Sequence, residues 1–369
     1  MRKILVLAND ETTIYNFRRE IIENFCNVGF EVYVAYPTGD NTESIKKLGC
    51  KVIDCKVSRH GTNVFEDLKL FFKYIKIIRT IEPNLVLTYT VKPNIYGSLA
   101  CQFTKTSYMN NITGLGSVLQ SDSIFAKLIL FLQKIAYKKS KCVFFQNSDN
   151  YKTFVDKKVI TRTQPIRLLP GSGVNLKLHS FEEYPIEEIP VKFVFISRIR
   201  KDKGIDELFQ AVRDVKETYE DRVEFHIIGW YEEEKYKTII EKLSLENLII
   251  YHGKKMQEEV HEILKSCHCI VHPSYHEGMS NVLLEAAATG RPIIASNIPG
   301  CMETFSEGKS GYGFEVKNPM DLEETLKEFI ELPYEKKAEM GVCGRRKIEK
   351  EFDRNLVAKI YIEEIKKNI

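Results

Sequence analysis

Short apolar runs alternate with longer amphipathic stretches along almost the whole chain, and this alternation is the pattern any fold must satisfy. Residues 3–9, 31–37, 51–57, 85–90, 107–112 and 141–147 read as strands, with helical segments between most of them. After the first run, Phe17, Ile21, Ile22 and Phe25 fall at helical spacing and Gly29 closes the helix. The pattern restarts after residue 190. Strands are predicted over 191–197, 223–229, 248–252, 269–273, 292–296 and 313–316, with a helix over 204–218. Strand–helix repetition of this kind implies α/β architecture, with parallel sheets covered on both faces.

A chain of 369 residues is too long for one average core and suits two domains. Between the two series lie Pro170-Gly171-Ser172-Gly173 and a polar, acidic stretch up to Pro190, a natural linker. The expected division is 1–173, 174–353 and a terminal amphipathic helix, 354–369. Leu356, Ile360, Ile362 and Ile365 on that helix can dock on either domain, and packing back on the first is one of the two placements open to it.

The start of the chain is basic, but its apolar run ends at Asn9-Asp10-Glu11, too early for a secretory signal. No stretch reaches the roughly 18 apolar residues needed to span a bilayer. A cytoplasmic location is expected. Nine cysteines are scattered through the sequence, several inside apolar strands, which suits buried thiols better than a disulfide framework. Cys267-His268-Cys269 with His272 has the look of a metal site, but no second ligand cluster accompanies it. The charge is uneven: residues 1–175 hold 25 Lys/Arg against 14 Asp/Glu, and the remainder 29 against 37. A basic first half suggests an anionic partner.

Two loops carry the chemistry. Pro273-Ser274-Tyr275-His276-Glu277-Gly278-Met279-Ser280-Asn281 follows a strand and runs into a helix. Gly278 permits a tight turn, and the amides of Met279, Ser280 and Asn281 form a helix N-terminus that favours anions. Glu285 lies eight residues after Glu277, at most roughly 12 Å away along a helix. That is near the span from a sugar, over a diphosphate, to a ribose. Ser197-Arg198-Ile199-Arg200-Lys201-Asp202-Lys203-Gly204 also follows a strand, at the sheet edge where doubly wound folds bind ligands. Arg198 offers a fork of donors and Lys203 a point charge, together suited to a diphosphate.

Arg198…Lys203-Gly204 with Glu277-Gly278…Glu285 is similar to the signature of family 4 retaining glycosyltransferases of the GT-B fold, two Rossmann-like domains with parallel sheets facing across a cleft. Ile228-Gly229, Tyr251-His252-Gly253, Ala287-Ala288-Thr289-Gly290-Arg291-Pro292, Pro299-Gly300…Glu303 and Gly311-Tyr312-Gly313 also match. In the first half, Asn16-Phe17-Arg18, Thr90-Val91-Lys92-Pro93-Asn94-Ile95-Tyr96-Gly97 and Asn111-Ile112-Thr113-Gly114-Leu115-Gly116 resemble a bacterial branch that builds capsular or lipid-linked oligosaccharides. The resemblance implies transfer of a hexose or N-acetylhexosamine from a nucleotide-sugar, most often UDP-linked, to a polyprenyl-diphosphate-linked sugar.

It also implies roles. Arg198 and Lys203 hold the donor diphosphate, and Glu277 contacts the donor sugar near its reacting carbon. Glu285 binds ribose hydroxyls, with Gly229 and Gly253 on the donor side. Gly114 and Gly116 let backbone approach the diphosphate from the first domain. Lys92 and Asn94 lie on the cleft wall near the acceptor. Two features common among relatives are missing: a glycine-rich loop after the first strand, here Asn9-Asp10-Glu11-Thr12-Thr13, and a cleft histidine. His60 is the only histidine of the first half and reads as a loop residue.

No D-x-D triplet occurs, so a metal-bridged diphosphate is not expected and no cofactor is implied. The segment 124–141 is amphipathic and cationic and is expected to lean on an anionic membrane. Nucleic acid is not an expected partner, since no interleaved aromatic and basic platform appears. A nicotinamide oxidoreductase would need G-x-G-x-x-G after the first strand, and none is there. Two alternatives share the architecture: a GT-B epimerase or hydrolase of nucleotide-sugars, and a non-catalytic nucleotide-sugar-binding protein.

Overall fold

A computed structural model describes residues 1–56, 63–114, 123–187 and 190–369, with the side chain of Phe125 left out. Two compact units emerge: Met1–Gly173 together with Arg354–Ile369, and Val174–Asp353.

The first unit holds a seven-stranded sheet: β1 (Lys3–Leu7), β2 (Glu31–Tyr36), β3 (Lys51–Asp54), β4 (Leu85–Tyr89), β5 (Tyr108–Ile112), β6 (Val143–Phe145) and β7 (Ile166–Leu168). Its order is β3-β2-β1-β4-β5-β6-β7, and every pairing is parallel. The second unit holds β8 (Val191–Ile196), β9 (Val223–Ile228), β10 (Ile250–Gly253), β11 (Cys269–His272), β12 (Ile293–Ser296) and β13 (Gly311–Phe314), in the order β10-β9-β8-β11-β12-β13. These pairings are parallel as well. The strand order reverses between β1 and β4, and again between β8 and β11. Rossmann-like sheets bind ligands at such switch points, beyond the carboxyl ends of the strands.

Burial on both faces explains why the strands read as continuous apolar runs. In β1 the alternation sorts residues by face. Ile4 and Val6 pack with Phe25 and the terminal helix, and Leu5 and Leu7 with Tyr74, Ile78 and Ala100. The edge strand β7 was not expected from the sequence: three residues, with Arg167 and Leu168 exposed, leave no apolar run to read.

The terminal helix Arg354–Asn368 lies in the first unit. Arg354, almost wholly buried, donates to Gly173 O at 3.1 Å and Asn16 O at 3.2 Å, and pairs with Glu20 at 2.6 Å. Gly173 has φ +69, and a Cβ there would sit 2.6 Å from Arg354 Cα, so the contact requires glycine. Farther along, Tyr361 donates to Asn111 Oδ1 at 2.5 Å. Asn111 belongs to a buried polar layer at the ends of β4 and β5, in which Thr88 donates to Asn94 at 2.6 Å and Asn110 donates to Thr88 and Ser98. Buried groups of this kind are stable only when partnered. Tyr361→Phe orphans a buried acceptor and is expected to cost about 1–3 kcal/mol. Urea unfolding measures it, and an unchanged midpoint contradicts the account.

Candidate functional site

The carboxyl ends of β8 and β11 flank the second switch point, and the loops that leave them are stitched together. Gly204, at φ +68, closes the Lys201–Lys203 turn. A Cβ on it would lie 1.9 Å from Pro273 O, so the basic turn presses on the loop after β11 only because residue 204 is glycine. The Tyr275 amide donates to Asp202 O at 3.0 Å, and the Tyr275 hydroxyl to Glu207 at 2.7 Å.

This stitching brings Lys203 to Glu277. Lys203 Nζ lies 2.5 Å from Glu277 Oε1 and 3.4 Å from Ser274 Oγ. The two side chains are only 13% and 16% exposed. From the end of β11, His272 Nε2 approaches the same Oε1 at 3.0 Å, and Ser280 Oγ lies 3.2 Å from that nitrogen. A carboxylate only accepts, so the imidazole proton facing Glu277 sits on Nε2. Burial favours the neutral acid, but the Lys203 charge and the His272 hydrogen bond outweigh it. Glu277 therefore titrates well below the usual carboxylate range. The result is a desolvated cation with one firm partner, held beside a fixed carboxylate.

The helix Asn281–Ala288 begins next to this pair, and among the described residues no side chain caps it. Of the three amides expected to face an anion, that of Ser280 is already engaged, donating to Gly300 O at 2.8 Å. The turn also works differently from its sequence reading. Gly278 is not among the positive-φ glycines. The position that needs glycine is Gly300, at φ +84, where a Cβ would meet Glu277 O at 2.8 Å and Gly278 O at 2.9 Å. Met279 buries its side chain in the core. Glu285 sits on the helix with His179 Nε2 3.9 Å from its Oε1.

Arg198 goes elsewhere. Its guanidinium pairs with Glu232 at 2.9 Å and is 42% exposed, and Arg200 reaches the same carboxylate at 3.1 Å while also pairing with Asp202. An open pocket of about 460 Å³ is lined by Arg200, Lys201, Asp202, Glu232, Glu233 and Tyr275, not by Lys203 and Glu277. Gly229 lets backbone approach closely: a Cβ on it would meet Ser197 O at 1.8 Å, and its amide donates to Gly253 O at 2.9 Å.

In the first unit, no atom of the described residues lies within 4 Å of where a Cβ on Gly114 would stand. Gly116 and His60 lie outside the described residues. Lys92 pairs with Asp67 at 2.7 Å. Asn94 departs from its expected place on a wall. It is 3% exposed, and its side chain joins Thr88 to Asn111 O within the buried polar layer. Beside them Thr90 holds φ +69, a strained conformation for a β-branched residue.

The sequence reading missed His272, treating it only as a possible metal ligand. Its place at the last position of a central strand, five residues before Glu277, was the available signal. Glu232, which holds Arg198 and Arg200, left no such signal.

Residues 177–347 match the family described as glycosyl transferases group 1, and residues 3–147 the family described as glycosyl transferase 4-like. The N,N'-diacetylbacillosaminyl-diphospho-undecaprenol alpha-1,3-N-acetylgalactosaminyltransferase of Campylobacter jejuni is 26% identical, over 98% of this chain and 97% of its own length. The capsular polysaccharide biosynthesis glycosyltransferase CapM of Staphylococcus aureus is 24% identical over 80% of this chain and 79% of its own. Among solved structures, sucrose-phosphate synthase from Thermosynechococcus elongatus superposes with a TM-score of 0.80 at 17% identity, covering 100% of this chain and 99% of the other. HepE of Anabaena, in complex with UDP and glucose, gives 0.79 at 16%, covering both chains fully.

The ionised state of Glu277 makes a pH prediction. Its folded pKa lies below the unfolded value of about 4.5, so its contribution to stability is present above that pH and fades as pH falls further. Glu277→Gln removes this contribution. Between roughly pH 5 and pH 3 the urea midpoint of the variant is expected to fall less than that of the parent. Parallel falls contradict the pairing.

Proposed function

Because the chain belongs to the glycosyltransferases of group 1, built on the GT-B fold, we propose that it moves a hexose or N-acetylhexosamine from a UDP-sugar to a polyprenyl-diphosphate-linked sugar, with retention of configuration. The observation that carries the reading is the Lys203–Glu277–His272 constellation at the switch point of the second sheet, beside an uncapped helix start. The relative from C. jejuni, whose name specifies a sugar on diphospho-undecaprenol as acceptor, supports the choice of acceptor.

Lys203 carries three donors. One meets Glu277 and a second faces Ser274 Oγ at 3.4 Å, which leaves the third to a diphosphate. Arg198 would join it by exchanging Glu232 for phosphate. An exposed ion pair of that kind is worth about 0–1 kcal/mol, so the exchange costs little. The first turn of the helix Asn281–Ala288 adds its dipole. The two cations thus do what a divalent ion does elsewhere, and the absence of a D-x-D triplet fits a metal-independent enzyme.

The bond from the sugar's anomeric carbon to the diphosphate breaks, and its electron pair leaves with the phosphate. The acceptor hydroxyl forms the new bond on the same face and gives its proton to the departing phosphate oxygen. Glu277, kept ionised by Lys203 and oriented by His272, positions the sugar and eases the positive charge growing on its ring. Glu285 takes the ribose hydroxyls. The acceptor lipid would place the enzyme at the inner face of the cell membrane.

A panel of UDP- and GDP-sugars tested by thermal shift is expected to raise the melting temperature of the parent with one sugar above the rest. Lys203→Ala is expected to abolish the shift. Glu277→Ala is expected to lower kcat by about 10²–10³. Glu285→Ala is expected to raise the donor KM more than it lowers kcat. The assignment fails if no nucleotide-sugar stabilises the parent, or if Lys203→Ala and Glu277→Ala behave as it does.

A further inference from the structure

The helix Ile124–Tyr137 is mounted the wrong way round for a helix that only supports a core. Its buried side is made of Ala126, Gln133, Ala136 and Tyr137. Leu130 packs against the core, but four other large apolar residues face out: Ile124, Leu128, Phe131 and Ile135 are 87, 50, 58 and 40% exposed. They recur at i, i+4, i+7 and i+11, one stripe of a helix. Lys127, Lys134 and Lys138 are exposed among them. No acidic residue occurs between 123 and 141.

The stripe does not stop at that helix. Gln102, on the helix Ser98–Thr104, donates to Ile135 O and Ala136 O at 3.0 Å each, tying that helix to the stripe-bearing one. Phe103 on it is 60% exposed, with the Arg79 guanidinium 5.5 Å from its ring centre and the Phe71 ring at 6.4 Å. Arg79 and Phe71 belong to the helix Val64–Ile81, which packs on the other side of Ser98–Thr104 and exposes Leu68 and Phe72. Lys69 and Lys76 share its outer side. Three adjacent helices of the first unit thus offer one apolar and cationic layer. Glu66 and Glu82 are exposed acids at the two ends of the helix Val64–Ile81, and Asp67 is neutralised by Lys92.

We propose that this three-helix layer is a docking surface for an anionic lipid bilayer. The chemistry selects the occupant. Among the described residues, none of Lys69, Lys76, Lys127, Lys134 and Lys138 is in an ion pair. A second copy of the chain would bring the same cations against them and be repelled. Nucleic acid would match the charge, but Ile124, Leu68, Leu128 and Ile135 cannot stack on bases. Lipid satisfies both: aliphatic and aromatic side chains enter the boundary between headgroups and acyl chains, and lysines with long stems reach the phosphates. The inference draws on the proposed acceptor only to say why a bilayer would be near, since the surface itself is defined by exposure and charge.

The full chain is floated with neutral phosphatidylcholine vesicles and with vesicles containing roughly one third phosphatidylglycerol. It is expected to rise with the anionic vesicles and stay below with the neutral ones. Each lysine near such a surface contributes about fivefold, so Lys127→Ala, Lys134→Ala and Lys138→Ala together are expected to weaken binding by about 100-fold. Leu128→Ser with Phe131→Ser, and separately Phe72→Ser with Phe103→Ser, are expected to weaken it at unchanged charge. These positions are exposed, so melting temperatures are expected to hold, as is transfer to a water-soluble acceptor analogue without vesicles. Transfer therefore reports on the proposed activity and flotation on the surface. No binding to anionic vesicles, or equal binding to neutral ones, overturns the proposal. So does a concentration-dependent dimer that Leu128→Ser with Phe131→Ser dissociates, which would assign the layer to a second copy.

Discussion

The pair between Lys203 and Glu277 organises the second unit. Taking an ammonium and a carboxylate so far out of water is costly unless both are closely hydrogen-bonded. The loops around them meet that demand. Gly204 admits the basic turn against Pro273, the Tyr275 amide and hydroxyl lock the two loops together, and Gly300 packs beneath Glu277 and Gly278. His272 adds a second donor to the same carboxylate oxygen. Gly204, Gly229 and Gly300 each stand where a Cβ would collide with backbone on which the site is built.

The α/β architecture was legible in the sequence for a simple reason. Parallel strands buried on both faces are apolar along most of their length, so β1, β4 and β8 stand out as runs. β7 is a short, half-exposed edge and carries no such mark. In the site, the spacing of Glu277 and Glu285 and the cations of the basic turn could be read locally. Their assembly could not. Lys203 and Glu277 are 74 residues apart, and only the order of β8 and β11 in the sheet makes them neighbours. For the same reason Arg198 seemed equivalent to Lys203, although Glu232 holds it in a more exposed place. Asn94 looked like a surface polar residue because sequence does not show which amides are consumed inside. Periodicity found the apolar and cationic segment 124–141, but it could not show that Leu68, Phe72 and Phe103 on two other helices are exposed as well.

Charge separates the two units along the same lines. The first carries the surplus of cations and presents some of them, unpaired, among exposed apolar side chains. The second carries the surplus of acids and holds the largely buried Glu277 against the largely buried Lys203. A weak, exposed pair such as Arg198–Glu232 can be exchanged at little cost, whereas the Lys203–Glu277 pair is kept and extended. Preorganisation of this kind lets charge be met as it develops, without rearrangement at the moment of reaction.

Calorimetric titration with uridine and with UDP, on the parent and on Lys203→Met, reaches the central claim most directly. If Lys203 is the cation that receives the diphosphate, the parent binds UDP far more tightly than uridine, and the variant loses most of that difference while its uridine affinity holds. A variant that still prefers UDP by the parent's margin would contradict the account.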